Sequence, residues 1–175
     1  MHKTITVFGS SKPDETDEQY KLACELGSLL AKKGFDVCTG GFFGIMEAVS
    51  KGAVENGGEA IGVTVNNWGP KGNKYLTKEI KCNSLFERIN KLIETGNGFV
   101  ILQGGTGTLL ELAAVWELSN KGIMDNKPIA CHSSMWKEIT SVMNEQMKLE
   151  GRDDDLVKSF NTIGEIVSYL VTNTQ

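Results

Sequence analysis

The chain has 175 residues, of which 40% are hydrophobic and 23% are charged, and its formal net charge at pH 7 is −4. This length and composition fit one globular domain over residues 1–175 and exclude a disordered or fibrous chain. Because the negative charge gives no general attraction for a polyanion, nucleic-acid binding is disfavoured.

Short apolar runs alternate with amphipathic stretches along the sequence. Strands are predicted, in chain order, at residues 5–8, 35–39, 60–65, 98–102 and 128–131. The first helix is predicted to begin at the acidic segment 16–18 and to end at the basic residues and glycine of 32–34. Further helical patterns fall at residues 46–53, 85–93, 109–116, 135–149 and 162–171.

Two polar segments separate these elements. Residues 66–78 contain Gly69 and Pro70 and form the longest predicted loop, and loops of this length often serve a site. Trp68 in this loop is a candidate to close over a bound base. The run of three aspartates at 153–155 fits an acidic helix start better than a divalent-cation site.

Strands that alternate with long helices imply parallel pairing through right-handed crossovers. We therefore expect an α/β, Rossmann-like fold, an open doubly wound parallel sheet with helices on both faces. Ligands of such sheets bind at the carboxyl ends of the strands, and three turns lie there, at residues 9–11, 40–44 and 103–108. Their glycines favour a nucleotide-like ligand, although tight turns also need glycine for their own geometry.

Targeting segments and metal sites find little support in the sequence. No apolar run reaches the roughly 18–20 residues that cross a bilayer, and the start of the chain is too short and alternating for a signal peptide. We therefore expect a cytoplasmic protein without membrane contact. The four cysteines lie far apart and only His2 and His132 are present, so zinc-ligand spacing and a multi-histidine site both fail. We expect neither a metal ion nor another cofactor.

The turn after the fourth predicted strand carries the most specific pattern. Gly104, Gly105, Gly107 and Thr108 follow this strand, and Glu111 lies on the first turn of the helix that comes next. Neither a dinucleotide G-x-G-x-x-G fingerprint nor a phosphate-loop lysine is present, which disfavours NAD and P-loop ATPase chemistry. Thr108 and Glu111 are three residues apart, so their side chains share one face of the helix.

This pattern, preceded by Glu87 and Arg88 on a predicted helix, resembles the P-G-G-x-G-T-x-x-E signature of the LOG ("lonely guy") family. These cytokinin-activating phosphoribohydrolases were long mislabelled as possible lysine decarboxylases. The resemblance implies a Rossmann-like homodimer that cleaves the N-glycosidic bond of a nucleoside 5′-monophosphate, giving free base and ribose 5-phosphate. A pyridoxal-phosphate decarboxylase is disfavoured, because it needs a dedicated lysine and none lies in the glycine turns.

The resemblance also implies roles for individual residues. Glu111 and Arg88 are expected to be catalytic, the carboxylate stabilising a ribosyl cation or orienting water and the guanidinium keeping Glu111 ionised. Alternatively, Glu111 only favours a helix N-terminus and Arg88 only pairs with a surface acid. The 5′-phosphate is expected at Gly104, Gly105, Thr106, Gly107 and Thr108. The other candidate binding residues are Gly9, Ser10, Ser11, Gly40, Gly41, Gly44 and Met46.

Four positions depart from the family pattern. Gln103 replaces the proline of the signature, and Glu47 stands where these enzymes usually have glycine. Ile89 stands where a lysine is frequent and Leu110 where an acid is common, and we expect such charges to lie near the nucleotide. These departures keep a second function open, a carrier of the same fold that binds a nucleotide or molybdenum cofactor without cleaving it.

Overall fold

The computed structural model describes residues 2–66, 68, 71–124 and 127–174 of the chain. Gly69 and Pro70 of the longest predicted loop lie outside these residues. The strands are β1 (Lys3–Phe8), β2 (Phe35–Thr39), β3 (Ala60–Val65), β4 (Lys78–Cys82), β5 (Gly98–Ile101), β6 (Ile129–His132) and β7 (Val157–Phe160). The helices are α1 (Glu18–Lys32), α2 (Ile45–Val54), α3 (Leu85–Thr95), α4 (Thr106–Asn120), α5 (Ser134–Leu149) and α6 (Ile163–Asn173).

The strands form one parallel sheet in the order β4-β3-β2-β1-β5-β6-β7. Helices cover both faces, so the central strands are buried on both sides and read as nearly continuous apolar runs. Strand β1 illustrates this, since only its first residue is exposed. The predicted Rossmann-like, doubly wound α/β fold is confirmed.

Each face of the sheet has its own hydrophobic core. On one face, Leu26 of α1, Val49 of α2 and Ile166 of α6 pack against the sheet. On the other face, Leu92 of α3 and Leu112 of α4 do so, together with residues of α5. The chain therefore leaves β1 towards one face and β5 towards the other. Between two such neighbouring strands, a crevice opens at their carboxyl ends.

Two strands were not predicted, and both lie at the edges of the sheet. Strand β4 has the sequence Lys-Glu-Ile-Lys-Cys and is largely exposed, so it lacks the apolar run by which a buried strand is recognised. Strand β7 follows the three aspartates at 153–155, and the prediction of an acidic helix start there is wrong. No helix in the described ranges is both long and apolar enough to cross a membrane.

Candidate active site

Backbone hydrogen bonds bring the three glycine-rich turns together at the carboxyl edge of the sheet. The N–H of Ser10 donates to the carbonyl of Gln103 (2.9 Å), which joins the turns after β1 and β5. The N–H of Ile45 donates to the carbonyl of Ser10 (2.9 Å), which joins the first of these turns to the start of α2. The three turns predicted to hold a ligand are therefore neighbours in space.

A cavity of about 330 Å³ opens between these turns. It is lined by Val7, Phe8, Gly9, Ser10, Ser11, Lys12, Gly40, Met46, Arg88, Gly105, Thr106, Gly107, Thr108 and Glu111. Its charged side chains are the acid Glu111 and two cations, Arg88 and Lys12. An ion pair between Arg88 and Glu111 leaves Lys12 as the excess charge, so the cavity favours an anionic ligand.

The N-terminus of α4 forms one wall of this cavity. Gly105 is the N-cap residue, has no capping side chain, and accepts the first helical bond, from the N–H of Leu109 (3.0 Å). The N–H groups of Thr106, Gly107 and Thr108 therefore have no helical acceptor and are available to an anion. Gly104 lies behind them, where a Cβ would be only 2.1 Å from Oγ1 of Thr108.

Arg88 projects from α3 and is buried, with its guanidinium held on several sides. Its Nε donates to the carbonyl of Val63 (2.8 Å), its Nη1 to Oε1 of Glu111 (3.3 Å), and its Nη2 lies 3.9 Å from Sδ of Met46. Gly40 permits this placement, because a Cβ there would lie 1.7 Å from Nη2. The guanidinium is thus fixed in position before any ligand binds.

Glu111 lies on the first turns of α4, where it shares the cavity face with Thr108 as the spacing predicted. Burial raises the pKa of Glu111 to about 7, against the opposing effect of the Arg88 charge and hydrogen bond. Arg88 thus lowers the pKa of Glu111 as expected, but the increase caused by burial is larger. A carboxyl group with such a pKa can change protonation near neutral pH.

Eleven of the fourteen predicted site residues line the cavity, and the other three shape its walls. Gly104 accommodates Thr108, whereas Gly41 and Gly44 adopt positive φ angles of 77° and 68° that glycine tolerates best. Sequence reasoning missed Val7, Phe8 and Lys12. Lys12 directly follows the turn at 9–11, and this adjacency was the one available signal.

None of the four residues that depart from the family pattern lines the cavity itself. Ile89 is buried in the core beneath α3, and Leu110 on α4 is 37% exposed. Neither Ile89 nor Leu110 lines the cavity, and the expectation about charges at these positions stays a prediction. Trp68 is 49% exposed and does not line the cavity either.

The arrangement combines an anion site at a helix N-terminus with a carboxyl–guanidinium pair at the crevice of a Rossmann-like sheet. In the described ranges, no three side chains of the metal-ligating types gather into a metal site. The chain thus has a Rossmann-like α/β fold, and its cavity has the shape and charge to suit a small anionic molecule. A family model described as the SLOG cluster4 family matches residues 2–156, and the chain belongs to this family.

The relatives of the chain include named phosphoribohydrolases. A probable cytokinin riboside 5′-monophosphate phosphoribohydrolase of Oryza sativa is 31% identical over 65% of this chain and 47% of its own length. A cytokinin riboside 5′-monophosphate phosphoribohydrolase of Mycobacterium tuberculosis is 31% identical over 72% of this chain and 68% of its own length. The match thus spans about half of the rice protein. Together with the family model, these relatives confirm the predicted resemblance to the LOG family.

A solved structure extends the likeness over nearly the whole chain. The Moco carrier protein of Chlamydomonas reinhardtii is 25% identical, with a TM-score of 0.77, and the match covers 98% of this chain and 97% of that one. The chain is therefore similar in sequence to proteins named as phosphoribohydrolases and in fold to one named as a cofactor carrier.

Proposed function

We propose that this protein hydrolyses the N-glycosidic bond of a nucleoside 5′-monophosphate of the AMP or cytokinin type, releasing free base and ribose 5-phosphate. The observation that carries the proposal is the buried Arg88–Glu111 pair, 3.3 Å apart, in the same cavity as the open N-terminus of α4. The matched relatives named as phosphoribohydrolases support the same chemistry.

Each part of the cavity has a task in this reaction. The N–H groups at the start of α4, the Thr108 hydroxyl and Lys12 bind the 5′-phosphate and so fix the ribose. As the bond from the ribose C1′ to the base nitrogen breaks, its electron pair leaves with the base and positive charge develops on the ribose. The ionised Glu111 stabilises that charge and orients the water that attacks C1′. The proton released by the water then balances the charge on the departing base.

Arg88 supports this reaction in two ways. Its bond to Val63 and its contact with Glu111 fix the direction of the carboxylate, and its positive charge favours the ionised form. Among the described residues, Nη2 has a hydrogen-bond contact only with the sulfur of Met46, at 3.9 Å, so N–H groups there are available to the hydroxyls or phosphate of the substrate.

The test is incubation of the purified protein with AMP, GMP, IMP, CMP and UMP separately, followed by chromatography of free base. We expect base release by the wild type and none by Glu111→Ala. Glu94→Ala is the matched control, because Glu94 is an exposed glutamate of α3 that pairs with Lys91 outside the cavity. Equal release by wild type and Glu111→Ala would contradict the catalytic role of Glu111.

A second candidate function is that of a carrier for a nucleotide or the molybdenum cofactor as cargo. The observation that favours it is the full-length likeness to the Moco carrier protein of Chlamydomonas reinhardtii, whereas the phosphoribohydrolases match over about two thirds of this chain. Binding of AMP with no base released from any of the five nucleotides would favour the carrier. Glu111→Gln would then leave the affinity for AMP nearly unchanged.

We further propose that the protein acts in the cytoplasm as a homodimer. An apolar groove of about 460 Å³ between α4 and α5 supports the second part of this proposal. It is lined by Leu109, Leu112, Ala113, Trp116, Glu117, Ile139, Met143 and Met147. Since α4 also carries the anion site, such an interface would lie directly behind the catalytic helix.

A further inference from the structure

Asn73 lies outside the cavity, yet it is buried and bonds to the turn that forms one of the cavity walls. It belongs to the segment between β3 and β4, where its side chain is only 5% exposed. A buried carboxamide has two N–H donors and an oxygen acceptor that need hydrogen-bond partners. The partners of Asn73 therefore show which parts of the backbone it holds in place.

All the polar groups of Asn73 act on nearby backbone. Its N–H donates to the carbonyl of Gly41 (2.8 Å), and its Nδ2 donates to the carbonyls of Gly41 (3.2 Å) and Phe42 (2.8 Å). Its Oδ1 accepts from the N–H of Tyr75 (3.1 Å), which fixes the orientation of the carboxamide. One side chain thus holds two consecutive carbonyl groups of the glycine turn after β2.

This glycine turn in turn contacts the guanidinium of Arg88. The backbone of Gly40 packs so closely on Nη2 that a Cβ would lie 1.7 Å from it. The ring of Phe42 lies on another side, with its centroid 5.9 Å from Cζ of Arg88. A shift of the carbonyls at 41 and 42 would therefore move both contacts on Arg88.

The segment that carries Asn73 is anchored without these bonds. Thr77 donates its N–H to the carbonyl of Ala60 (2.9 Å), and its hydroxyl accepts from the N–H of Ala60 (3.0 Å). The side chain of Leu76 packs against Gly62, where a Cβ would lie 2.4 Å from Cδ1. The bonds from Asn73 are therefore available to position the glycine turn rather than to hold their own segment.

We propose that Asn73 is a positioning residue for Arg88, acting through the carbonyl groups of Gly41 and Phe42. The proposal deepens the proposed function, and its consequence for turnover rests on that function. Its consequence for the placement of Arg88 does not, because the contacts exist without substrate. The two can therefore be tested separately.

The experiment uses the fact that the chain has only two arginines, Arg88 and Arg152. In protein labelled with ¹⁵N-arginine, the Nε–H of Arg88 gives a signal whose exchange with water reports the bond to Val63, and the exposed Arg152 is an internal reference. Asn73→Asp has the same shape, but it places an oxygen where Nδ2 donates to two carbonyl groups. We expect exchange at Arg88 to accelerate about tenfold, with Arg152 unchanged.

The matched control is Asn56→Asp, because Nδ2 of Asn56 also donates to a backbone carbonyl, that of Gly52 (2.9 Å), but away from the cavity. We expect it to leave the Arg88 signal unchanged. Asn73→Ser removes the carboxamide without adding a charge and serves if the aspartate variant does not fold. A folded Asn73 variant with an unchanged Arg88 signal would overturn the proposal.

Binding and turnover of AMP complete the test. If the proposed function holds, Asn73→Asp should lower kcat more than it raises KM, since the phosphate site on α4 is untouched and only the placement of Arg88 changes. If the wild type neither binds nor cleaves any of the five nucleotides, the proposed function fails. The exchange of the Arg88 Nε–H then still decides the role of Asn73.

Discussion

At the scale of single residues, the burial of Glu111 predicts how the activity depends on pH. Its pKa of about 7 lies above the ordinary glutamate value because it is buried, and its proposed task requires the ionised form. We therefore expect kcat/KM for base release to rise about tenfold per pH unit up to pH 7 and then to level off. Initial rates at low AMP concentration between pH 5.5 and 8.5 measure this.

The direction of that pH profile distinguishes two roles of the carboxyl group. A protonated Glu111 that donates its proton to the departing base would give a rate that falls above pH 7 instead of rising. Such a falling profile would contradict the role of ion stabiliser. Glu94→Ala, which changes a residue outside the cavity and the groove between α4 and α5, should keep the wild-type profile.

Gly40 offers a second test at this scale, because the absence of a side chain there makes room for Arg88. Gly40→Ala would place a Cβ 1.7 Å from Nη2, so either the guanidinium or the turn must move. We expect turnover to fall about 100-fold or more, since misplacing a catalytic group by about 1 Å has an effect of this size. Steady-state kinetics of AMP cleavage measure the loss.

The matched control for Gly40→Ala is Gly164→Ala in the first turn of α6. A Cβ there would meet no atom within 4 Å, and alanine favours a helix more than glycine does. We expect wild-type turnover and equal or higher thermal stability. Full activity of Gly40→Ala would show that Arg88 is not needed where the structure places it.

At the scale of elements, the open N-terminus of α4 predicts that a phosphate group strengthens ligand binding. Its first three N–H groups have no helical acceptor, and a dianionic phosphate gains charge-assisted hydrogen bonds that a nucleoside cannot make. We expect AMP to bind at least about tenfold more tightly than adenosine. Calorimetry with Glu111→Ala measures both affinities without turnover, and equal affinities would contradict a phosphate site on α4.

The sequence predicted the central elements well, because buried parallel strands and the helices that cover them carry strong apolar patterns. It missed β4 and β7, since edge strands have one neighbour and tolerate charges such as Lys78 and Glu79. In the site, the glycine turns and Glu111 were recognisable from spacing. The contacts of Arg88 with Val63 and of Asn73 with Gly41 join residues that are distant in the sequence. No local sequence pattern therefore predicts them.

At the scale of the whole molecule, the helices α4 and α5 leave apolar surface exposed between them. Between α4 and α5, the apolar groove leaves Leu109 42% and Met143 40% exposed. Contiguous exposed apolar surface of this kind marks interaction sites in soluble proteins. A second copy of the chain can cover it, because a two-fold axis would place the same groove on both partners.

This arrangement gives a test of the proposed homodimer. Met143→Glu would place a charge in the groove, and burying an unpaired charge at an interface is strongly unfavourable. We expect the wild type to have the mass of a dimer in light scattering coupled to gel filtration, and Met143→Glu to have that of a monomer. Val142→Glu is the matched control, since Val142 is the adjacent residue, is 67% exposed and does not line the groove.

Dissociation would also report on the site, because Leu109 in the groove directly follows Thr108 in the cavity. If the partner stabilises the first turn of α4, the monomeric Met143→Glu variant should bind AMP more weakly than Val142→Glu does. A melting temperature well above the temperature of the assay would show that the variant is folded. A monomeric wild type, or a dimer that persists in Met143→Glu, would show that this groove is not the interface.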